Sequence, residues 1–234
     1  MQAVPNIVRE HWPEYLMEAA GLGLFMISAA VVTTLLEYPH SPLHGLFADQ
    51  ATRRLMIGLA MGATAIGLIY SPWGKRSGAH LNPAVTLTFY RLGKIGGIDA
   101  CSYVMAQFFG GALGLWLVSR AIGKAVEHPA VNYVVTTPGP AGSGTAFVAE
   151  ALISFGLMLV VLMVSNTTSL NAWTGCVAGA LVATYIAIEA PLSGMSMNPA
   201  RSFASALPAH LWTAFWIYLT APLIAMLLAA EVYV

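Results

Sequence analysis

The chain has 234 residues, of which 58% are hydrophobic and 9% charged. A water-soluble domain carries about 25% charged residues because its folded surface must be wetted, so this composition excludes one and calls for lipid to cover part of the surface. Ten basic and ten acidic residues cancel, which gives no electrostatic case for nucleic acid or for an acidic partner.

After a short polar lead, Met1 to Pro13, the first apolar segment runs from about Tyr15 to Leu36. It is long enough to cross a bilayer and lacks the short core and small-residue cleavage site of a signal peptide, so it reads as a retained membrane helix. In all, six spanning segments are predicted, at about 14–37, 53–71, 97–121, 145–165, 171–190 and 211–232. Helices are forced there, because lipid offers the backbone no hydrogen-bond partners. The connections are rich in turn residues: 38–52 with Pro39 and Pro42, 123–144 with Pro129, Pro138 and Pro140, and the polar stretch Asn166 to Asn171.

Two segments break this pattern. Ser77 to Leu92 reads SGAHLNPAVTLTFYRL, and Ser193 to Leu207 reads SGMSMNPARSFASAL. Each has a Ser-Gly start, an irregular stretch, and Asn-Pro-Ala opening a helical run of about ten residues. The runs end near Gly93 and at Pro208. Ten helical residues span about 15 Å, half of a bilayer core, so both are half-helices.

These features recur in register. The first helix of each half carries a glutamate, Glu18 and Glu150, and the second carries a GxxxG pair, Gly58/Gly62 and Gly175/Gly179, read as close helix packing. Repeat one covers about 14–121 and repeat two about 145–232, within a single transmembrane domain of 1–234. Three spans per half make the repeat inverted, with broken helices meeting at mid-membrane.

Asn-Pro-Ala is a helix start with a mechanism. Asparagine is a favoured N-cap, and proline at the first helical position loses nothing by lacking an N–H. The two starts, Asn82, Pro83, Ala84 and Asn198, Pro199, Ala200, therefore point positive helix ends at one another, about half a charge each. The amides of Asn82 and Asn198 can donate into the gap, holding a water by its oxygen so that its neighbours relay no proton through it. The converging dipoles also oppose cations. Such a centre suits neutral polar solutes.

With two such motifs in an inverted repeat, the sequence resembles the major intrinsic proteins, the aquaporin and glycerol-facilitator family, from about Glu14 to Tyr233. The resemblance implies an all-α membrane protein, an aquaporin-like bundle of six transmembrane helices plus two re-entrant half-helices. It also implies a homotetramer with one pore per subunit and no cofactor. Carbonyls at membrane depth are tolerable only where they line a water-filled cavity. In the family they form the pore's acceptor ladder, which by position would be Gly78, Ala79, His80 and Leu81, then Gly194, Met195, Ser196 and Met197. Glu18 and Glu150 would accept hydrogen bonds from these loops.

Arg201 takes the place of the arginine at the family's narrowest point, and opposite it would stand Ile186, Met195 and either Met61 or Gly62. The common water-channel pattern has Phe and His where this chain has Met or Gly, and Ile186. Losing the histidine removes a donor and leaves the constriction less polar. Ser202 where glycerol facilitators carry Asp, Ala206, and the pair Phe215-Trp216 follow the water type. The expected function is a passive water channel that excludes protons and ions. Its alternatives are a channel for glycerol, urea, ammonia or dissolved gases, and a closed structural membrane protein.

No nucleophile–base set or metal spacing suggests an enzyme. Cys101 and Cys176 read as small core residues, and Pro39 and Pro42 break any zinc-binding helix through His40 and His44. Basic residues lean slightly toward termini on the cytoplasmic side of the cell (inner) membrane. The partners expected are water or a small neutral solute and the lipid bilayer, with no nucleic acid.

Overall fold

The computed structural model describes residues 4–234, with side chains from Asn6 onward, so the first three residues of the polar lead lie outside the described residues. In chain order the main helices are α1 (Val4–Glu37), α2 (Gln50–Tyr70), α3 (Pro83–Arg91), α4 (Gly97–Ile122), α5 (Gly142–Ser165), α6 (Thr174–Ile188), α7 (Pro199–Ala209) and α8 (Trp216–Tyr233). All but α3 and α7 belong to the six segments long and apolar enough to cross a membrane.

Several ends differ from expectation, each for a local reason. Helix α1 starts well before residue 14 and runs through Pro13. Tertiary contacts fix the added turns: His11 and Tyr15 bond Asp99 of α4 at 2.8 and 2.6 Å, and Glu14 pairs with Arg76 at 2.7 Å. Helix α6 stops at Ile188, because a separate turn, Ala190–Ser193, carries Pro191. Helix α7 passes Pro208 by one residue and is closed by His210 in the left-handed region. Helix α8 begins at Trp216 rather than 211, after turns that include left-handed Ala214.

Within each half the outer spans pair, α1 on α4 and α5 on α8, while α2 packs on α6 across the two halves. Glycine makes that cross-half seam possible. A Cβ on Gly62 would lie 2.5 Å from the Gly179 carbonyl oxygen, and one on Gly58 would lie 2.5 Å from that of Ala183. Gly58, Gly62 and Gly179 thus bring two backbones together, as small residues do where helices meet in lipid, while Gly175 makes room for the side chains of Ile69 and Tyr70.

The outer surface is apolar. All six tryptophans are exposed: Trp12, Trp73 and Trp173 near the end that carries the termini, and Trp116, Trp212 and Trp216 near the opposite end. Tryptophan favours the membrane–water boundary, so the two groups mark both edges of a lipid-covered band.

Candidate functional site

The local chain chemistry builds two matching hooks. Asn82 caps α3 by accepting from the Ala84 amide at 2.8 Å. Asn198 caps α7 by accepting from Ala200 and Arg201 at 3.1 and 3.2 Å. With each oxygen turned to its own helix, each Nδ2 faces the other half. Asn82 donates to the Met197 carbonyl and Asn198 to the Leu81 carbonyl, both at 2.7 Å. One amide hydrogen of each asparagine is so engaged, and the second is left for the space between them.

Upstream, both loops use the same backbone path. Gly78, Ala79 and Leu81 have φ of 90°, 48° and 49°, and Gly194, Met195 and Met197 have 84°, 52° and 54°. Left-handed backbone costs a non-glycine residue about 1–2 kcal/mol, so four such residues persist only where neighbours hold them. Two buried carboxylates do so. Glu18 accepts from Ser77 Oγ, the His80 and Leu81 amides and Gln107 Nε2. Glu150 accepts from Ser193 Oγ and the Ser196 and Met197 amides, each at 2.7 Å.

With their amides tied back, the loops turn carbonyls the other way. Among the described residues, no backbone donor reaches those of Gly78, Ala79, His80, Gly194, Met195 or Ser196. Leu81 and Met197 differ, since their carbonyls already accept the asparagine cross-links.

One cavity of about 580 Å³ passes all of these groups. Glu37, Gln50 and Arg54 line one end, Ser165 and Thr174 the other, and Asn82 and Asn198 lie on its wall between them. These end residues belong to opposite faces of the helix bundle, so the cavity runs from face to face. Arg201, Met61, Ile186 and Met195 also line it. Arg201 Nη1 is buried and finds no partner among the described residues. Of the two alternatives opposite the arginine, Met61 reaches the cavity and Gly62 does not: Gly62 is turned into the α2–α6 seam. His80 lines the cavity toward the end that carries the termini, stacked on Phe89 with ring centroids 4.9 Å apart.

Elsewhere, Cys101 and Cys176 are free and line no part of this cavity, but Cys101 is exposed rather than a core residue. The apolar run around it is a lipid-facing surface, where exposure and apolar sequence go together. His44 bonds the Leu36 carbonyl and His40 packs on Tyr38, and no cluster of metal-ligating side chains occurs among the described residues.

Several contributors escaped the sequence reading. Tyr103 and Tyr218 each donate to the serine carbonyl that opens a loop, Ser77 and Ser193. Tyr103 lies 21 residues after Asn82 and Tyr218 lies 20 after Asn198, so aligning the repeats would have brought them to nearly matching positions. Gln107 and Thr136 carried no such signal.

The comparisons with known proteins agree with this geometry. The family model described as Major intrinsic protein matches residues 8–233. "Aquaporin NIP6-1" of Arabidopsis thaliana is 36% identical over 180 residues, or 76% of this chain and 57% of that protein. "Probable aquaporin AqpM" of Archaeoglobus fulgidus is 35% identical over 76% of this chain and 74% of its own. "Aquaporin NIP2-2" of Zea mays is 33% identical over 91% of this chain and 71% of its own. The chain therefore spans a little over half of the Arabidopsis relative and about three quarters of the archaeal one. In fold it is similar to the aquaglyceroporin from Plasmodium falciparum, with a TM-score of 0.79 over 95% of both chains at 21% identity. The chain belongs to the major intrinsic protein family, as a multi-pass membrane channel of the aquaporin kind and not an enzyme.

Proposed function

We propose that this channel passes water in single file and excludes protons and ions. The observation that carries the reading is the through-going cavity with both asparagine amides on its wall. Each amide keeps one hydrogen for the cavity and its oxygen is committed to a helix cap, so a water between them meets donors only. Such a water accepts from both and donates outward to the free loop carbonyls on either side. The file of waters then has opposite polarity in its two halves, and no proton can be handed through its centre. The two helix starts add positive potential against cations.

In this reading Arg201, Ile186, Met195 and Met61 form the selectivity constriction, and the free carbonyls of both loops replace part of each water's hydrogen bonding. Glu18 and Glu150 keep the loops in shape. The channel acts as a homotetramer in the cell membrane with its termini on the cytoplasmic side.

A second reading is a channel for small neutral solutes such as glycerol, urea, ammonia or dissolved gases. What favours it is that the three residues assigned to the constriction beside Arg201, namely Met61, Ile186 and Met195, line the cavity and are all apolar. Stopped-flow light scattering on proteoliposomes separates the two. Fast osmotic shrinkage with slow glycerol re-entry is expected of a water channel, and fast glycerol re-entry overturns the water assignment.

A further inference from the structure

The two loops are anchored differently, and the difference lies in a residue outside every membrane helix. Four residues after each pore asparagine stands a hydroxyl, Thr86 in the first half and Ser202 in the second. Two residues before each asparagine stands a polar side chain bonded to that hydroxyl: His80 Nδ1 at 3.1 Å from Thr86 Oγ1, and Ser196 Oγ at 2.6 Å from Ser202 Oγ. In the first half the hydroxyl is held by Gln107 of the spanning helix α4, at 3.0 Å. Gln107 lies four residues after Tyr103, and the position four after Tyr218 in α8 is Pro222, which has no side-chain donor. The second half recruits its anchor elsewhere. Thr136 of the 123–141 connection lies 2.7 Å from Ser202 Oγ and is 5% exposed.

The direction of this chain of hydroxyls follows from counting donors. Ser196 Oγ donates to the Asn198 carbonyl at 3.0 Å and accepts from the Asn198 amide at 3.2 Å. Its one proton is then in use, so Ser202 must donate to Ser196, and Thr136 to Ser202. The result is a polarised run, Thr136 to Ser202 to Ser196 to Asn198, of the kind in which each bond strengthens the next. Ser202 directly follows Arg201, so the run ends on one pore residue and adjoins the other.

The connection is also forced into place. Asn132, Tyr133 and Val134 are consecutive left-handed residues, with φ of 41°, 53° and 53°. For β-branched Val134 this is strongly disfavoured and survives only where surroundings determine it. Gly139 N–H donates to the Leu192 carbonyl at 2.9 Å, and a Cβ on Gly194 would meet Thr136 Cα at 3.1 Å. Both contacts press the connection against the second loop.

We propose that Thr136 is a positioning residue for the channel: its hydroxyl, acting through Ser202 and Ser196, holds Arg201 and Asn198 and so sets the largest neutral solute that passes. The proposal rests on the constriction reading given above, whichever solute the wild-type channel prefers. Thr136→Val keeps the shape and removes the hydroxyl, whereas Thr136→Ser keeps the hydroxyl. Water and glycerol permeabilities of each are measured in proteoliposomes beside the wild type. Thr136→Val is expected to raise the glycerol-to-water ratio about fivefold, the rate factor equivalent to one hydrogen bond of ordinary net strength, and Thr136→Ser to leave it at the wild-type value. Both permeabilities of Thr136→Val falling in proportion, at an unchanged ratio, would show a role in folding alone and overturn the proposal. An equal ratio change in Thr136→Ser would overturn it too, since the methyl group would then be responsible. The wild-type ratio separately tests the water assignment, so the two failures are distinguishable.

Discussion

Removing the acceptor carboxylate of Glu150 should cost the second loop its shape in proportion to the donors left without a partner. The side chain is buried and takes three bonds, from the Ser193 hydroxyl and the Ser196 and Met197 amides. Glu150→Leu strands all three, because leucine offers no acceptor in place of the carboxylate. At about 1–3 kcal/mol for each buried unsatisfied donor, the loss is about 3–9 kcal/mol, comparable to the whole stability of a typical fold, about 5–15 kcal/mol. Glu150→Gln keeps one oxygen, and in either orientation its NH₂ faces one backbone N–H, so the loss is about 1–3 kcal/mol. Thermal unfolding in detergent and water permeability in proteoliposomes report the two effects. The glutamine variant should fold with lowered thermal stability and retain a measurable flux, whereas the leucine variant should lose flux and much of its folded yield. Wild-type melting and flux in Glu150→Leu would refute the support role. Equal damage in both variants would refute the donor count and point to the charge itself.

Three further outcomes follow from positions of single side chains. Met195 lines the cavity and neither cysteine does, so mercury salts should leave water flux unchanged in the wild type and block it in Met195→Cys. Strong reversible inhibition that persists without Cys101 and Cys176 would contradict that assignment. Ile186→His adds a donor opposite Arg201 and should lower glycerol relative to water permeability. An unchanged ratio would mean that Ile186 does not face the narrowest point. Glu189, just beyond α6, has both carboxylate oxygens buried with no hydrogen-bond partner among the described residues, and burial pushes its pKa up to about 7. Its neutral form is the one the fold favours, so its share of stability is full below about pH 4.5 and is lost as pH rises through about 7. Melting in detergent at about pH 5 and about pH 8 should show a smaller drop for Glu189→Gln than for wild type. Identical drops would remove Glu189 from the account.

Much of the pore could be read from the linear chain because the relevant constraints are local. Apolar runs of about twenty residues admit only spanning helices, and Asn-Pro at a helix start is a capping signal wherever it occurs. Its repetition after Ser-Gly sets Asn82 and Asn198 at matching places of the two halves, with Glu18 and Glu150 in register upstream, and the family resemblance joins those glutamates to the loops. Helix ends were less legible. The start of α1 depends on partners eighty or more residues away, since Asp99 holds His11 and Tyr15, and no local propensity encodes such a contact.

Which side of α2 faces the cavity is set by the fold and not by local sequence. Met61 and Gly62 are adjacent, and the choice turned on the backbone approach of α6, where Gly62 meets the Gly179 carbonyl. The fold alone ties each asparagine amide to the opposite loop, because Leu81 and Asn198 are brought within a hydrogen bond only when both halves have folded. It also gave Thr136 its place, since a threonine in a turn-rich connection has no periodicity or motif to mark it. The chemistry available at mid-membrane is encoded locally, because caps, breaks and hydrophobic length are properties of neighbouring residues. The wall of the cavity draws on α1, α2, α5, α6, both loops, Arg201 of α7 and the connection, and contacts so distant in the chain exist only in the folded molecule.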